Sequence, residues 1–152
     1  LGTYTKEFKQ QPIPGVEYDC AGLFGTTCGV TLGVLPEWKH KVRGTWATPW
    51  NVDAAVTWRY IKGVDNEASS SNPNLNGPVA ATDSKMDAKN YLDLAGNWRI
   101  TKNLTLTGGI NNLLDQDPPL VDTGWSGPGT PNTWGPYDTL GRQIFMSATA
   151  KF

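Results

Sequence analysis

At 152 residues and a formal net charge of −1, the chain has the length of one domain and no excess charge for nucleic acid or an anionic membrane surface. Its mean hydropathy is negative, and no stretch approaches the ~20 apolar residues of a membrane helix, which excludes helical spans. Barrel strands escape that test, because lipid-facing and lumen-facing side chains alternate and average out.

With 17 glycines, 11 prolines and 7 tryptophans, and little helical periodicity, the chain reads as all-β with loops. Leu1 to Phe8 reads as the end of a short strand. No leader precedes it, so either a targeting segment has been removed or the chain is a piece of something longer. A turn-rich segment follows from Lys9 to Pro36 and holds the only two cysteines, Cys20 and Cys28. A close, even pair suits a disulfide, and hence an oxidising compartment. A metal site there is the weaker reading, since the single histidine, His40, stands alone on a strand.

Alternation begins after Glu37. Trp38, His40, Val42, Gly44 and Trp46 share one face, and Lys39, Lys41, Arg43 and Thr45 the other. Thr48-Pro49-Trp50 marks a tight turn. The next strand places Val52, Ala54, Val56, Trp58 and Tyr60 against Asp53, Ala55, Thr57, Arg59 and Ile61, which makes a hairpin. From Lys62 to Asp87 the composition is that of a mobile, solvated loop. Leu92, Leu94, Gly96, Trp98 and Ile100 then alternate with Asp93, Ala95, Asn97 and Arg99. Thr101-Lys102-Asn103 turns the chain into Leu104, Leu106, Gly108 and Ile110. A third long loop, Leu114 to about Gly141, precedes the last strand. That strand sets Ile144, Met146, Ala148, Ala150 and Phe152 against Gln143, Phe145, Ser147, Thr149 and Lys151.

Tight turns therefore fall at one end of the strands and long loops at the other, as in outer-membrane barrels with short periplasmic turns and long extracellular loops. Aromatic residues sit at both ends of the apolar face: Trp38, Trp46, Trp50, Trp58, Tyr60 and Trp98. About ten residues, tilted by roughly 40°, cover about 25 Å, the height of a barrel's apolar band. These six read as interface aromatics. The polar face, with Lys41, Arg43, Asp53, Arg59, Asp93, Asn97, Arg99, Asn111 and Lys151, faces a wet lumen or a plug. Turning it to lipid would cost roughly 2–4 kcal/mol for each midplane Arg or Lys. His40 is the exception on the apolar face. If both tight turns are three-residue loops, Trp46 lies opposite Val52 and Trp98 opposite Leu106. Thr45 then faces Asp53 and Arg99 faces Thr105.

Asn111-Asn-Leu-Leu-Asp-Gln-Asp-Pro-Pro119, and Tyr137-Asp-Thr-Leu-Gly-Arg142 before an alternating strand ending in Phe152, resemble the closing segments of TonB-dependent outer-membrane receptors. Pro36-Glu-Trp-Lys-His40 and Trp46-Ala-Thr-Pro-Trp-Asn51 are similar to that family too, so the resemblance runs from Pro36 onward. It implies an antiparallel transmembrane barrel of about 22 strands around a plug, of which this chain is the last six strands or so. The plug and earlier strands would be absent here. It also implies import of a scarce nutrient such as a siderophore or carbohydrate, powered by TonB through the missing N-terminal part. The location is the bacterial outer membrane, with long loops extracellular and the C-terminus periplasmic. Phe152 matches the terminal aromatic read by the barrel assembly machinery. The remaining partners are outer-membrane lipid and an unidentified small ligand; no nucleic acid and no cofactor are implied.

No catalytic constellation is visible, since a nucleophile needs a nearby base and the one histidine lies on the apolar face. The chain does not read as an enzyme. Asp115 and Asp117 suggest caps of a turn before proline rather than a metal site. Trp125, Trp134 and Tyr137 could stack on a ligand ring or fold the last loop on itself. Besides the importer, a passive channel or porin and a secreted β-sandwich binding glycans through tryptophan remain open.

Overall fold

The computed structural model describes residues 1–29, 33–126 and 132–152. Residues 30–32 and 127–131 lie outside them. The strands in chain order are β1 (Gly2–Tyr4), β2 (Lys9–Ile13), β3 (Val16–Asp19), β4 (Leu23–Phe24), β5 (Trp38–Ala47) and β6 (Val52–Ile61). They continue as β7 (Val64–Asn66), β8 (Lys85–Met86), β9 (Lys89–Arg99), β10 (Leu104–Asn111) and β11 (Gln143–Ala150). The main sheet has six strands in the order β1-β5-β6-β9-β10-β11. Every neighbouring pair in it is antiparallel.

These are the six strands expected from the period of two. β1 is shorter than Leu1–Phe8, and β9 starts at Lys89, three positions before the expected Leu92. At the second tight turn Trp98 faces Leu106 and Arg99 faces Thr105, as a three-residue loop requires. The first turn departs from expectation. Trp46 faces Ala54 rather than Val52, Ala47 faces Asp53, and Thr45 faces Ala55. Thr48 N donates to Val52 O at 2.8 Å, and Asn51 adopts a left-handed φ of 59°, so the loop is again three residues long but runs from Pro49 to Asn51 rather than from Thr48 to Trp50. Asparagine tolerates that conformation, which the last position of a three-residue hairpin loop calls for. The register moves by two positions, so every side chain keeps its face.

Rows of side chains cross the sheet. One runs Val56, Leu94, Ile110, Ile144; another runs Ala54, Gly96, Gly108, Met146. This apolar face is solvent-exposed, with Ile144 at 77% and Met146 at 83% of full exposure. A face so apolar and so exposed calls for a covering medium.

Hydrophobic cores lie instead at the long-loop end. One contains Phe24, Val34, Ile61, Val64, Met86, Tyr91, Val121, Trp134 and Tyr137; the other contains Tyr18, Cys20, Cys28 and Leu75. All three long loops contribute. β4 pairs in parallel with β7, and β7 pairs antiparallel with β8, so a small sheet joins the first and second loops. The segment Lys62 to Asp87 is therefore packed structure rather than a mobile, solvated loop. Val64, Ala68, Leu75 and Met86 are buried, and its polar side chains bond its own backbone, as Asn66 does at Ala68 N and Asp83 O. Spacing so irregular carries no periodicity, which is why the sequence hides it.

Cys20 and Cys28 are disulfide-bonded, with Cα atoms 5.3 Å apart. The buried carboxylate of Glu67 accepts from Thr27 N at 2.8 Å, Cys28 N at 2.7 Å and Thr26 Oγ1 at 3.2 Å. Gly25 makes the wrap possible: its φ is 153°, and a Cβ there would meet Glu67 Cδ at 2.3 Å. The disulfide loop is thus folded around an acid from the second loop.

Candidate functional site on the polar face

The polar face is the one over which the last loop folds. Arg59, on β6, donates from Nε and Nη2 to Asp93 on β9, at 2.8 and 2.9 Å. Its Nη1 and Nη2 also donate to Asp138, at 2.9 and 2.6 Å. The guanidinium lies 4.8 Å from the centre of the Tyr91 ring, and Tyr91 Oη accepts from Asp138 N at 3.3 Å. Asp93 Oδ1 accepts from Asn112 N at 2.9 Å. One planar fork therefore ties two strands to the loop before β11, geometry that arginine supports and lysine does not.

Arg59→Met is expected to leave Asp93 and Asp138 facing each other without their shared cation. The three side chains are 16–27% exposed, so the cost lies between surface and buried values, about 2–3 kcal/mol. Hydrogen exchange should show lost protection at residues 137–142 while β9 and β10 stay protected. Unchanged protection there would refute the tether.

Beneath this segment is a cavity of about 460 Å³, bordered by Lys41, Arg59, Asn111, Tyr137, Thr139 and Gln143 among others. Lower on the same face, Arg99 Nη1 donates to Asp53 at 2.7 Å and Thr107 Oγ1 to Asn97 at 2.7 Å.

The other expected residues fall as follows. Trp38, Trp58 and Tyr60 lie towards the long-loop end of the apolar face, and Trp46, Trp50 and Trp98 at the tight-turn end. His40 is accommodated among the first group. Its Nδ1 accepts from Trp38 Nε1 at 2.9 Å, and its ring meets Trp58 edge-on at 4.5 Å. Trp58 Nε1 donates to Asn90 Oδ1 at 2.9 Å. Phe152 follows β11, fully exposed.

Trp134 and Tyr137 are each only 4% exposed within the cap core, and Trp125 packs against it. Trp134 Nε1 donates to Trp125 O at 2.7 Å, and Gly29 leaves room for the Trp134 ring, which a Cβ would meet at 2.0 Å. Of the two readings of these rings, the geometry matches the loop folded on itself. Burial pushes the Tyr137 phenol well above the ordinary tyrosine range. Asp115 corrects the capping expectation: its Oδ1 accepts from Arg142 N at 2.8 Å, anchoring the start of β11. Asn112, at φ 52°, holds the turn instead, with its side chain bonded to both N and O of Gln116.

Sequence reasoning placed Arg59 and Asp93 on one face but assigned no role to Asp138 or Tyr91. Asp138 lies 79 positions from Arg59, and no local signal joins them.

A family model described as TonB dependent receptor-like, beta-barrel matches residues 1–113. This chain belongs to the TonB-dependent receptor β-barrel family. The polar face is thus the barrel's inner wall, and the apolar face its outer surface. Among solved structures, a mutant ferric enterobactin receptor from Pseudomonas aeruginosa is similar, with 20% identity and a TM-score of 0.53 over 77% of this chain and 16% of that one. Another mutant of that receptor, in complex with enterobactin, gives 18% identity and a TM-score of 0.55 over 96% of this chain and 22% of that one. No curated protein sequence matches. The chain thus spans 16–22% of the length of these receptors, and at such identities the likeness is one of fold.

Proposed function

We propose that this chain forms part of the wall and three external loops of an outer-membrane receptor that binds a scarce nutrient and imports it with energy transmitted by TonB. The observation that carries this reading is the opposition of the two faces. One is apolar, exposed and edged with tryptophan at both ends; the other is charged, ion-paired and overhung by a tethered loop. A lipid-facing surface and a polar lumen need that division. The long loops are then extracellular and the C-terminus periplasmic. The nutrient is a siderophore, a carbohydrate or a similar small molecule. TonB engages the part of the receptor upstream of Leu1.

Deleting the gene in its parent cell should abolish growth on the limiting nutrient, and the intact gene should restore growth only when TonB is present. Restored growth without TonB would favour a passive channel instead.

Phe152 extends the apolar face of Ile144, Met146 and Ala148 past the end of β11, and we assign it to recognition by the assembly machinery. Deleting it is expected to lower the receptor's level in the outer membrane severalfold while the affinity of the receptors that do assemble is unchanged. Normal membrane levels on quantitative blotting would overturn that role.

A further inference from the structure

The contacts that bring Cys20 and Cys28 together belong to the first long loop. Cys20 N donates to Phe8 O at 2.9 Å, and Leu23 N donates to Cys20 O at 3.1 Å. Asp19 Oδ1 accepts from Phe8 N at 2.7 Å and from Ala21 N at 3.0 Å. β2 and β3 form a two-stranded sheet of their own beside this turn. The cysteines are eight positions apart, a short closure that costs little chain entropy.

The contacts that hide the sulfurs come from the second loop as well. Leu75 shares a buried cluster with Tyr18, Cys20 and Cys28. Glu67 Oε2 accepts from Cys28 N at 2.7 Å, and Asp65 N donates to Gly22 O at 2.9 Å, between the two cysteines. Asn72 Nδ2 adds a bond to Glu17 O at 3.3 Å. With both loops packed, each cysteine is 1% exposed, too little for a reagent to reach either sulfur. One loop makes the bond, and two loops bury it.

We infer that Cys20 and Cys28 are the substrate site of a disulfide-bearing oxidant that acts on the first loop before the second closes over it, and that closure ends the reaction. One cysteine thiolate attacks the oxidant's disulfide, forming a mixed disulfide and releasing one of the oxidant's sulfurs. The other cysteine attacks that mixed disulfide, forming the Cys20–Cys28 bond and releasing the second sulfur. The oxidant takes up two electrons, and the two cysteine protons end on its thiols. The mixed disulfide carries a whole second molecule on a sulfur, and the packed loops leave no room for it. The inference stands on these two loops and not on what the receptor imports.

The test uses the receptor synthesised in dithiothreitol, purified in detergent as a heat-modifiable barrel, freed of reductant and given oxidised glutathione. Bridge formation is followed by the thiols left to a mass-adding maleimide after denaturation. Assembled wild type is expected to form the bridge roughly tenfold more slowly than the same chain in urea. Glu67→Ala and Leu75→Ala each remove one hold of the second loop, and either should bring the assembled rate back towards that of the chain in urea. Oxidation of assembled wild type at the unfolded rate would overturn the inference, since the sulfurs would be open after assembly. Slow oxidation in both variants would overturn it too, because the barrier would then lie outside the second loop. If the reduced chain does not assemble, a pulse–chase in cells reads the order directly. The bridge should then appear before Tyr18 and Phe24 gain protection from chymotrypsin, and the reverse order would sink the idea.

Discussion

Expressed alone, residues 1–152 are expected to remain unfolded in lipid and to give no heat-modifiable monomer. The sheet has two open edges. β11 has a partner on one side only, and the first segment covers β5 only from Trp38 to Lys41, leaving the remaining six residues of that ten-residue strand unpaired on that side. In hydrocarbon each unpaired N–H or C=O costs several kcal/mol, so these edges together cost on the order of tens of kcal/mol, beyond what a domain's net stability can offset. Co-expression with the upstream part of the receptor should restore folding, because closure removes both edges. A monomeric barrel formed by the chain alone, conducting ions in a planar bilayer, would defeat this expectation.

The second large effect is expected at Glu67. Replacing it with alanine leaves Thr26 Oγ1, Thr27 N and Cys28 N without an acceptor in a loop whose Cys28 is 1% exposed. At about 1–3 kcal/mol for each of the three lost bonds the cost is on the order of 3–9 kcal/mol, at the low end because Thr26 and Thr27 are exposed and regain water, and it is felt by the loops rather than the strands. The bridge itself closes a short loop worth roughly 2.5 kcal/mol in the chain-entropy account. Glu67→Ala should therefore expose Cys20 and Cys28 to reductant and thiol label at least tenfold faster, while chymotryptic cleavage appears at Tyr18 and Phe24 in the first loop. Labelling at the wild-type rate would show that the carboxylate is dispensable.

The strands were legible because their rule is local. A period of two holds over eight to eleven residues of β5, β6, β9, β10 and β11, and a slip of one position would turn Arg59 or Asp93 towards lipid. Register at the first turn was missed because it depends on one backbone conformation, that of Asn51. The loops were opaque for a different reason. β4 is two residues long, and Phe24 pairs with Asn66 across more than forty positions, so no window of sequence contains both partners. The polar site was half legible: parity put Arg59 and Asp93 on one face, but Asp138 arrives from a loop whose path is set by the burial of Trp134 and Tyr137. Those rings had two readings in the sequence, and only packing distinguishes them.

The parallel joint between β4 and β7 matters to anyone who would re-engineer the long loops. It welds the first two loops into one body, and Asp83 Oδ1, accepting from Asp122 N at 2.9 Å, welds the third to the second. A loop transplanted singly from a relative would arrive without its half of the joint and leave buried partners behind. These loops should therefore diverge, and be grafted, as a set.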